Sequence, residues 1–209
     1  MKDEPRQPTP SCDRPTVSVS RRRFLIGTAT AGVIALAGCA DDAADAEAPD
    51  PVDLADGQAC DVCGMVIADH YGPNGQIFYA GDRPADRDGP AWFDSLHEAY
   101  EFHLDHVDRG WEPLAVYVTD YSSVDYTIEE YDGERYVSTH PEADAFVDAE
   151  RATFVAGSAV NGAMGPDLVP FTDEEEAAAF ADEHGGELID HDEIDRELLA
   201  ALRDAAAHE

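Results

Sequence analysis

Apolar residues are distributed very unevenly along the chain. An uncharged run from Phe24 to Gly38 gives way to a polar stretch that lasts to residue 57, and patterned hydrophobicity returns only after it. Between residues 58 and 190 the pattern occurs twice. At an offset of 76 to 78, Phe78-Tyr79-Ala80-Gly81 aligns with Phe154-Val155-Ala156-Gly157, and Phe93, Glu98, Ala99 and Phe102 align with Phe171, Glu176, Ala177 and Phe180. Ordered self-similarity of this kind marks a duplicated supersecondary unit. Each copy contains a predicted helix that opens on a capping box, Ser95-x-x-Glu98 in the first and Thr172-x-x-Glu175 in the second, where hydroxyl and carboxylate satisfy free amides reciprocally. Gly110 and Gly185-Gly186 mark the helix ends. Aromatic and β-branched stretches lie before each helix, Ile77 to Ala80 and Thr153 to Ala156, and after it, Leu114 to Thr119 and Glu187 to Ile189. The expected fold class is α+β. Two similar ββαβ modules, about 58–128 and 130–190, would pack into one domain because neither alone buries its sheet face. Ile194, Leu198 and Leu202 then recur at intervals of four, predicting an amphipathic helix within 191–209 that docks on the core.

The first apolar run reads differently. Ser20-Arg21-Arg22-Arg23 precedes it, and 15 uncharged residues are short of the ~20 that a membrane-spanning helix needs. A charged segment followed by such a run is an export signal, and Arg21 and Arg22 suggest the twin-arginine route. It ends in Leu36-Ala37-Gly38-Cys39, a lipobox-like sequence in which Cys39 would take the lipid and become the mature N-terminus. Residues 1–38 are therefore read as a lipoprotein signal peptide, placing the protein on the extracytoplasmic face of the membrane. Residues 39–57, rich in Ala and Asp, are expected to form an acidic, flexible linker.

Charge removes several classes of function. From Cys39 onward there are 7 arginines, no lysine and 43 acidic residues, a formal charge of −36. Nucleic-acid binding through counterion release is excluded by that sign. No Asp-x-Asp-x-Asp-Gly loop is present for Ca²⁺. A dispersed acidic surface instead suits concentrated salt, where repulsion is screened within ~3 Å.

With Cys39 committed to lipid and Cys12 in the discarded segment, the remaining thiols are Cys60 and Cys63, and the mature methionines are Met65 and Met164. In Cys60-Asp61-Val62-Cys63-Gly64-Met65 two thiolates can reach one ion from a tight turn, and Gly64 allows the chain to fold back. Soft sulfur donors select Cu(I), and a thioether from Met65 would add a ligand that carries no proton. Met164 lies in the glycine-rich loop Asn161-Gly162-Ala163-Met164-Gly165-Pro166; it either fills core or closes on the cysteine turn if the modules face each other. His70, seven residues after Cys63, is a further candidate ligand. His103 and His106 share a helical face, but Leu104 and Val107 are expected to own the buried side. Alternatives to soft-metal binding stay open. A thiol-disulfide oxidoreductase would use the same two cysteines, although the motif precedes an apolar Met65-Val66-Ile67 strand rather than a helix. A structural Zn²⁺ site lacks a second matched ligand pair, and a disulfide closing so short a loop would be strained. A docking subunit of a membrane complex would use the C-terminal helix and need no metal.

The chain resembles the NosL family, lipoproteins regarded as copper chaperones for nitrous oxide reductase maturation. The resemblance rests on Cys60-Asp61-Val62-Cys63-Gly64-Met65 after a lipidated cysteine, Trp92-Phe93-Asp94, Val118-Thr119-Asp120-Tyr121, and Ala163-Met164-Gly165 before Phe171. It implies two ββαβ modules, no enzymatic activity, and Cu(I) carried by sulfur among Cys60, Cys63, Met65 and Met164 for a copper-accepting enzyme such as nitrous oxide reductase. The sequence departs from the family in having Ala163 where proline often precedes the methionine, and Ser95 where a second acidic residue often follows Asp94.

Overall fold

The computed structural model describes residues 48–206 apart from 82, 85 and 86. Arg21, Arg22, Cys39 and the rest of the export segment lie outside the described residues. Two sheets organise the remainder. The first contains β1 (Gly75–Tyr79), β2 (Ala91–Phe93), β3 (Pro113–Thr119) and β6 (Phe146–Asp148) in the order β2-β1-β3-β6, with every pairing antiparallel. The second contains β4 (Ile128–Tyr131), β5 (Glu134–Val137), β7 (Thr153–Gly162) and β8 (Gly165–Phe171) in the order β4-β5-β7-β8, with β9 (Glu187–Asp190) also on β7. Helix α1 (Leu96–Val107) connects β2 to β3, α2 (Glu174–His184) connects β8 to β9, and α3 (Arg196–Ala206) ends the described chain.

The order strand, strand, helix, strand therefore occurs twice, with β1 between β2 and β3 and β7 between β8 and β9. The connecting residues do not keep to a boundary near 129, since β4 straddles it and β6, which follows it, completes the first sheet. Alternation along β7 explains the layers. Phe154 and Ala156 face one hydrophobic cluster with Phe93, Leu96, Tyr100 and Leu168, while Val155 between them faces a second with Val169, Phe171, Ala177 and Phe180. The second sheet is thus covered on both faces, by α1 and α3 on one side and α2 on the other. At Gly157, whose φ of 73° suits glycine, the β7 register breaks, and its far end meets β5 in parallel at Tyr136 and Asn161.

Several elements differ from the sequence expectation. Residues 49–57 are not a free tether: Leu54 is fully buried, Val52 exchanges two hydrogen bonds with the buried Gln76 side chain (2.8 and 3.0 Å), and Pro49 accepts one from Tyr117. A polar Gln76 inside β1 needs such partners, and this segment is the one that supplies them. Helix α2 is capped by Asp173, which accepts from the amides of Glu175 and Glu176, rather than by Thr172. The Thr172 hydroxyl donates instead to Asp120 at 2.8 Å. In the last helix the fully buried positions are Leu199 and Leu202, with Ile194 ahead of them and Leu198 at the edge. Of the two residues expected on the buried side of α1, Leu104 packs against the core but Val107 is 40% exposed, and His106, stacked on Phe102, and His103, hydrogen-bonded to Tyr79, are partly packed as well.

Candidate metal centre

The cysteine turn is built by its backbone. Ala59 and Val66 pair as an isolated antiparallel bridge, the Cys60 amide donates to the Met65 carbonyl (2.8 Å), and the Gly64 amide donates back to Cys60 (3.0 Å). Closing so short a loop requires the φ of 77° that Gly64 adopts. The expected Met65–Ile67 strand is reduced to that one bridge, because Ile67 begins a 3-10 turn to Asp69 and its amide is used by Gln58. The nearby amides of Cys63, Asp94 and Val62 favour the Cys60 thiolate, and that of Met65 favours Cys63.

The turn is stitched to β2. Asp61 and Trp92 exchange two hydrogen bonds of 3.0 Å, the Trp92 indole donates to Ala59 (2.7 Å), and Arg87 both contacts the Asp61 carboxylate and lies 3.9 Å over the Trp92 ring. Beyond Trp92 the chain runs through Phe93 to Asp94 and into α1. The Ser95 hydroxyl caps that helix by accepting from the Glu98 amide (3.3 Å), and Asp167, reaching over from β8, accepts from the His97 amide (2.8 Å). The helix start is therefore fixed from both sheets.

Two carboxylates meet the two thiols there. Cys60 Sγ donates to Glu98 Oε2 at 3.1 Å and Cys63 Sγ lies 3.4 Å from both Asp94 oxygens; one donor atom from each of the four residues lies within 4.8 Å of every other. The Glu98 carboxylate thus does not return to its own helix N-terminus as a capping box would require. Burial raises both thiols above their ordinary pKa, Cys60 strongly, with the nearby carboxylates adding to the effect, and burial also raises Glu98. The thiols are protonated at neutral pH and act as donors to the carboxylates.

Of the residues singled out in the sequence, Cys60 and Cys63 come together. Met65 is half-buried on the same turn. Met164, at the tip of the β7–β8 hairpin, is 48% exposed, so it does not fill core. His70 ends the 3-10 turn and stands outside the four-residue donor cluster. Asp94 and Glu98 are the members that sequence reasoning missed. The only signal for Asp94 was the Trp92-Phe93-Asp94 motif, and Glu98 was accounted for as a capping partner.

A family profile described as NosL matches residues 51–199. The chain belongs to the NosL family. Among NosL relatives, the copper-binding lipoprotein NosL of Stutzerimonas stutzeri is 30% identical over 192 residues, 90% of this chain and 90% of the relative. The copper-binding lipoprotein NosL of Achromobacter cycloclastes is 30% identical over 175 residues, covering 81% and 78%. In three dimensions the crystal structure of the copper chaperone NosL from Shewanella denitrificans matches with a TM-score of 0.54 at 28% identity, over 67% of this chain and 91% of that one.

Proposed function

We propose that this protein is a lipid-anchored copper chaperone on the extracytoplasmic face of the membrane. It carries one Cu(I) on Cys60 and Cys63, with the Met65 thioether as third donor, and hands it to a copper enzyme such as nitrous oxide reductase. The observation that carries the reading is the preformed sulfur pair, brought together by one hydrogen-bonded backbone turn. The names of the NosL relatives supply the metal. Cu(I) is d¹⁰, accepts two or three soft ligands and imposes little geometry, so two thiolates from one turn suffice. Loading exchanges two S–H protons for one cation, and release to another thiolate or thioether reverses the exchange one ligand at a time without any change of oxidation state.

Thiol-disulfide exchange is less well served by the same site. An attacking thiol works as thiolate and needs a lowered pKa, whereas burial and the adjoining carboxylates move both thiols upward.

Copper stoichiometry and affinity, measured on reduced protein without oxygen, test the reading. One Cu(I) per chain is expected. Cys60→Ser and Cys63→Ser, each replacing a soft donor by a hard one, should lower affinity by ~100-fold or more, and Met65→Leu by ~10-fold. Met164→Leu asks whether the exposed hairpin tip contributes a ligand; unchanged affinity and sulfur coordination number would remove it from the site. Full copper loading in both serine variants would overturn the chaperone function.

A further inference from the structure

The first sheet has two ends, and the metal turn occupies one of them. Gly75 pairs with Phe93 and Val118 there, and Tyr79 pairs with Pro113 at the other end, four residues away along β1. At ~3.4 Å per residue the two ends are roughly 13 Å apart. Cys63 lies against Asp94, the residue after Phe93. The segment that follows Cys39 joins the domain at the opposite end, where Pro49 lines a groove with Phe78, Gly81, Arg83 and Leu114. That end carries apolar side chains that the fold leaves uncovered. Val107 closes α1 and Leu114 lies at the start of β3, each 40% exposed, with half-buried Trp111 between them in sequence. The indole is held in place. It meets the buried Tyr79 ring edge-on, with centroids 5.1 Å apart, and the Arg83 guanidinium lies 5.0 Å from its centroid. An indole beside a guanidinium suits the headgroup level of a bilayer, where the ring is half wetted and the cation meets phosphate. Asp88 and Glu112 are exposed at the same end, so the attraction to a bilayer is apolar rather than electrostatic.

We infer that this end is a membrane-docking face: Trp111 and Leu114 enter the interface of the bilayer that holds the Cys39 lipid, Val107 sits at the rim, and the Cys60–Cys63 turn is directed outward. The inference rests on the lipid anchor proposed above. A bilayer is the occupant because the anchored chain reaches the domain at this groove, about ten residues after Cys39, which brings the lipid surface to this end before any other. Three partly exposed side chains bind a bilayer weakly by themselves. The anchor makes their contact intramolecular, so a modest affinity suffices to orient the domain.

The two tryptophans of the chain are natural reporters, since Trp111 belongs to this face and Trp92 lies beside the metal turn. The full chain, purified from membranes, is placed on vesicles of phosphatidylcholine and phosphatidylglycerol with brominated acyl chains, and mass spectrometry reads the lipid on Cys39. Bromine should quench Trp111 roughly twofold and leave Trp92 almost untouched, so Trp111→Phe should remove most of the parent's quenching. Leu114→Asp puts a charge on an exposed insertion point; it should abolish quenching while vesicle attachment and Cu(I) loading stay unchanged. Raising KCl from about 0.1 M to about 2 M should strengthen quenching, because salt screens the repulsion and not the apolar contact. A lipid-modified, vesicle-bound protein with neither tryptophan quenched, or with both quenched alike, would overturn the docking face. So would quenching that survives Leu114→Asp or fades with KCl. Quenched Trp111 in a protein with unmodified Cys39 would overturn the anchor and support the face, and a protein neither modified nor vesicle-bound would overturn both.

Discussion

Asp167 shows how much can rest on one buried side chain. It lies in β8, is almost completely shielded, and holds the N-terminus of α1 through the His97 amide, yet its Oδ2 has no hydrogen-bond partner among the described residues. Burial pushes its carboxyl up to about 7, with the amides of Leu168 and His97 acting in the opposite direction. In the unfolded chain the same group titrates near 3.8, so between the two values the fold retains a proton that the unfolded chain has lost. Its contribution to stability is complete below about pH 4, is lost as the pH rises to about 7, and totals up to about 4 kcal/mol. Asp167→Asn should remove that slope: relative to the parent, the variant should gain unfolding free energy from about pH 4 to 7 and hold a constant difference above. Urea titrations at fixed KCl would show it, and parallel pH profiles for the two proteins would mean that Asp167 is ionised throughout. Individual residues were unequally legible in the sequence. Gly64 declared its turn because few residues take that backbone conformation cheaply, and Cys60 and Cys63 declared their proximity by spacing. Asp94 and Glu98 did not, because their approach to the cysteines depends on how β2 and α1 pack against the turn.

At the level of elements, existence and type were readable while phase and caps were not. The strand at 113–119 and the two central helices fall where alternation and capping chemistry put them, since those signals are local. Thr172 and Asp173 are both good caps, however, and the choice between them is made by Asp120, which occupies the Thr172 hydroxyl from 52 residues away. The last helix has a similar ambiguity, because Leu198 and Leu199 lie four and three residues before Leu202 and either can share its stripe. In the fold Leu199 is 1% exposed and belongs to the core with Leu202. Leu199→Ala should therefore cost about 3 kcal/mol through lost burial and a residual cavity, and Leu198→Ala clearly less. Chemical denaturation of the two variants decides the phase; equal costs would mean that the helix docks a third of a turn away. The extended segment 49–57 escaped detection for a related reason. Its few apolar residues carry no period, and the partners that hold it, the Gln76 side chain on Val52 and Tyr117 on Pro49, are distant in sequence.

For the whole molecule the dominant quantity is charge. Arg196 bridges Asp105 and Asp108 at 2.7 and 2.8 Å, but 7 arginines after residue 38 cannot offset 43 acidic side chains. The compact state repels itself wherever screening is weak. Added KCl shortens the screening length from about 10 Å at 0.1 M to about 3 Å at 1 M, so the melting temperature should climb over that range and continue upward in molar salt. A melting temperature indifferent to KCl would show that the acidic surface is already compensated by local pairing. The overall α+β class was available from patterning, whereas the assignment of β6 to the first sheet was not, because a three-residue strand paired only through Thr119, Val118 and Tyr117 leaves no mark in the sequence around it.

The docking of Val52 and Leu54 sets a leash. If Cys39 carries the lipid proposed above, only about ten residues separate the membrane from the first fixed contact at Pro49, and a fully drawn chain covers at most ~3.6 Å per residue, or about 35 Å. A free segment to residue 57 would have allowed nearly twice that. Under the proposed lipidation the docked domain would be tethered within that reach of the bilayer, and a recipient would have to meet it there.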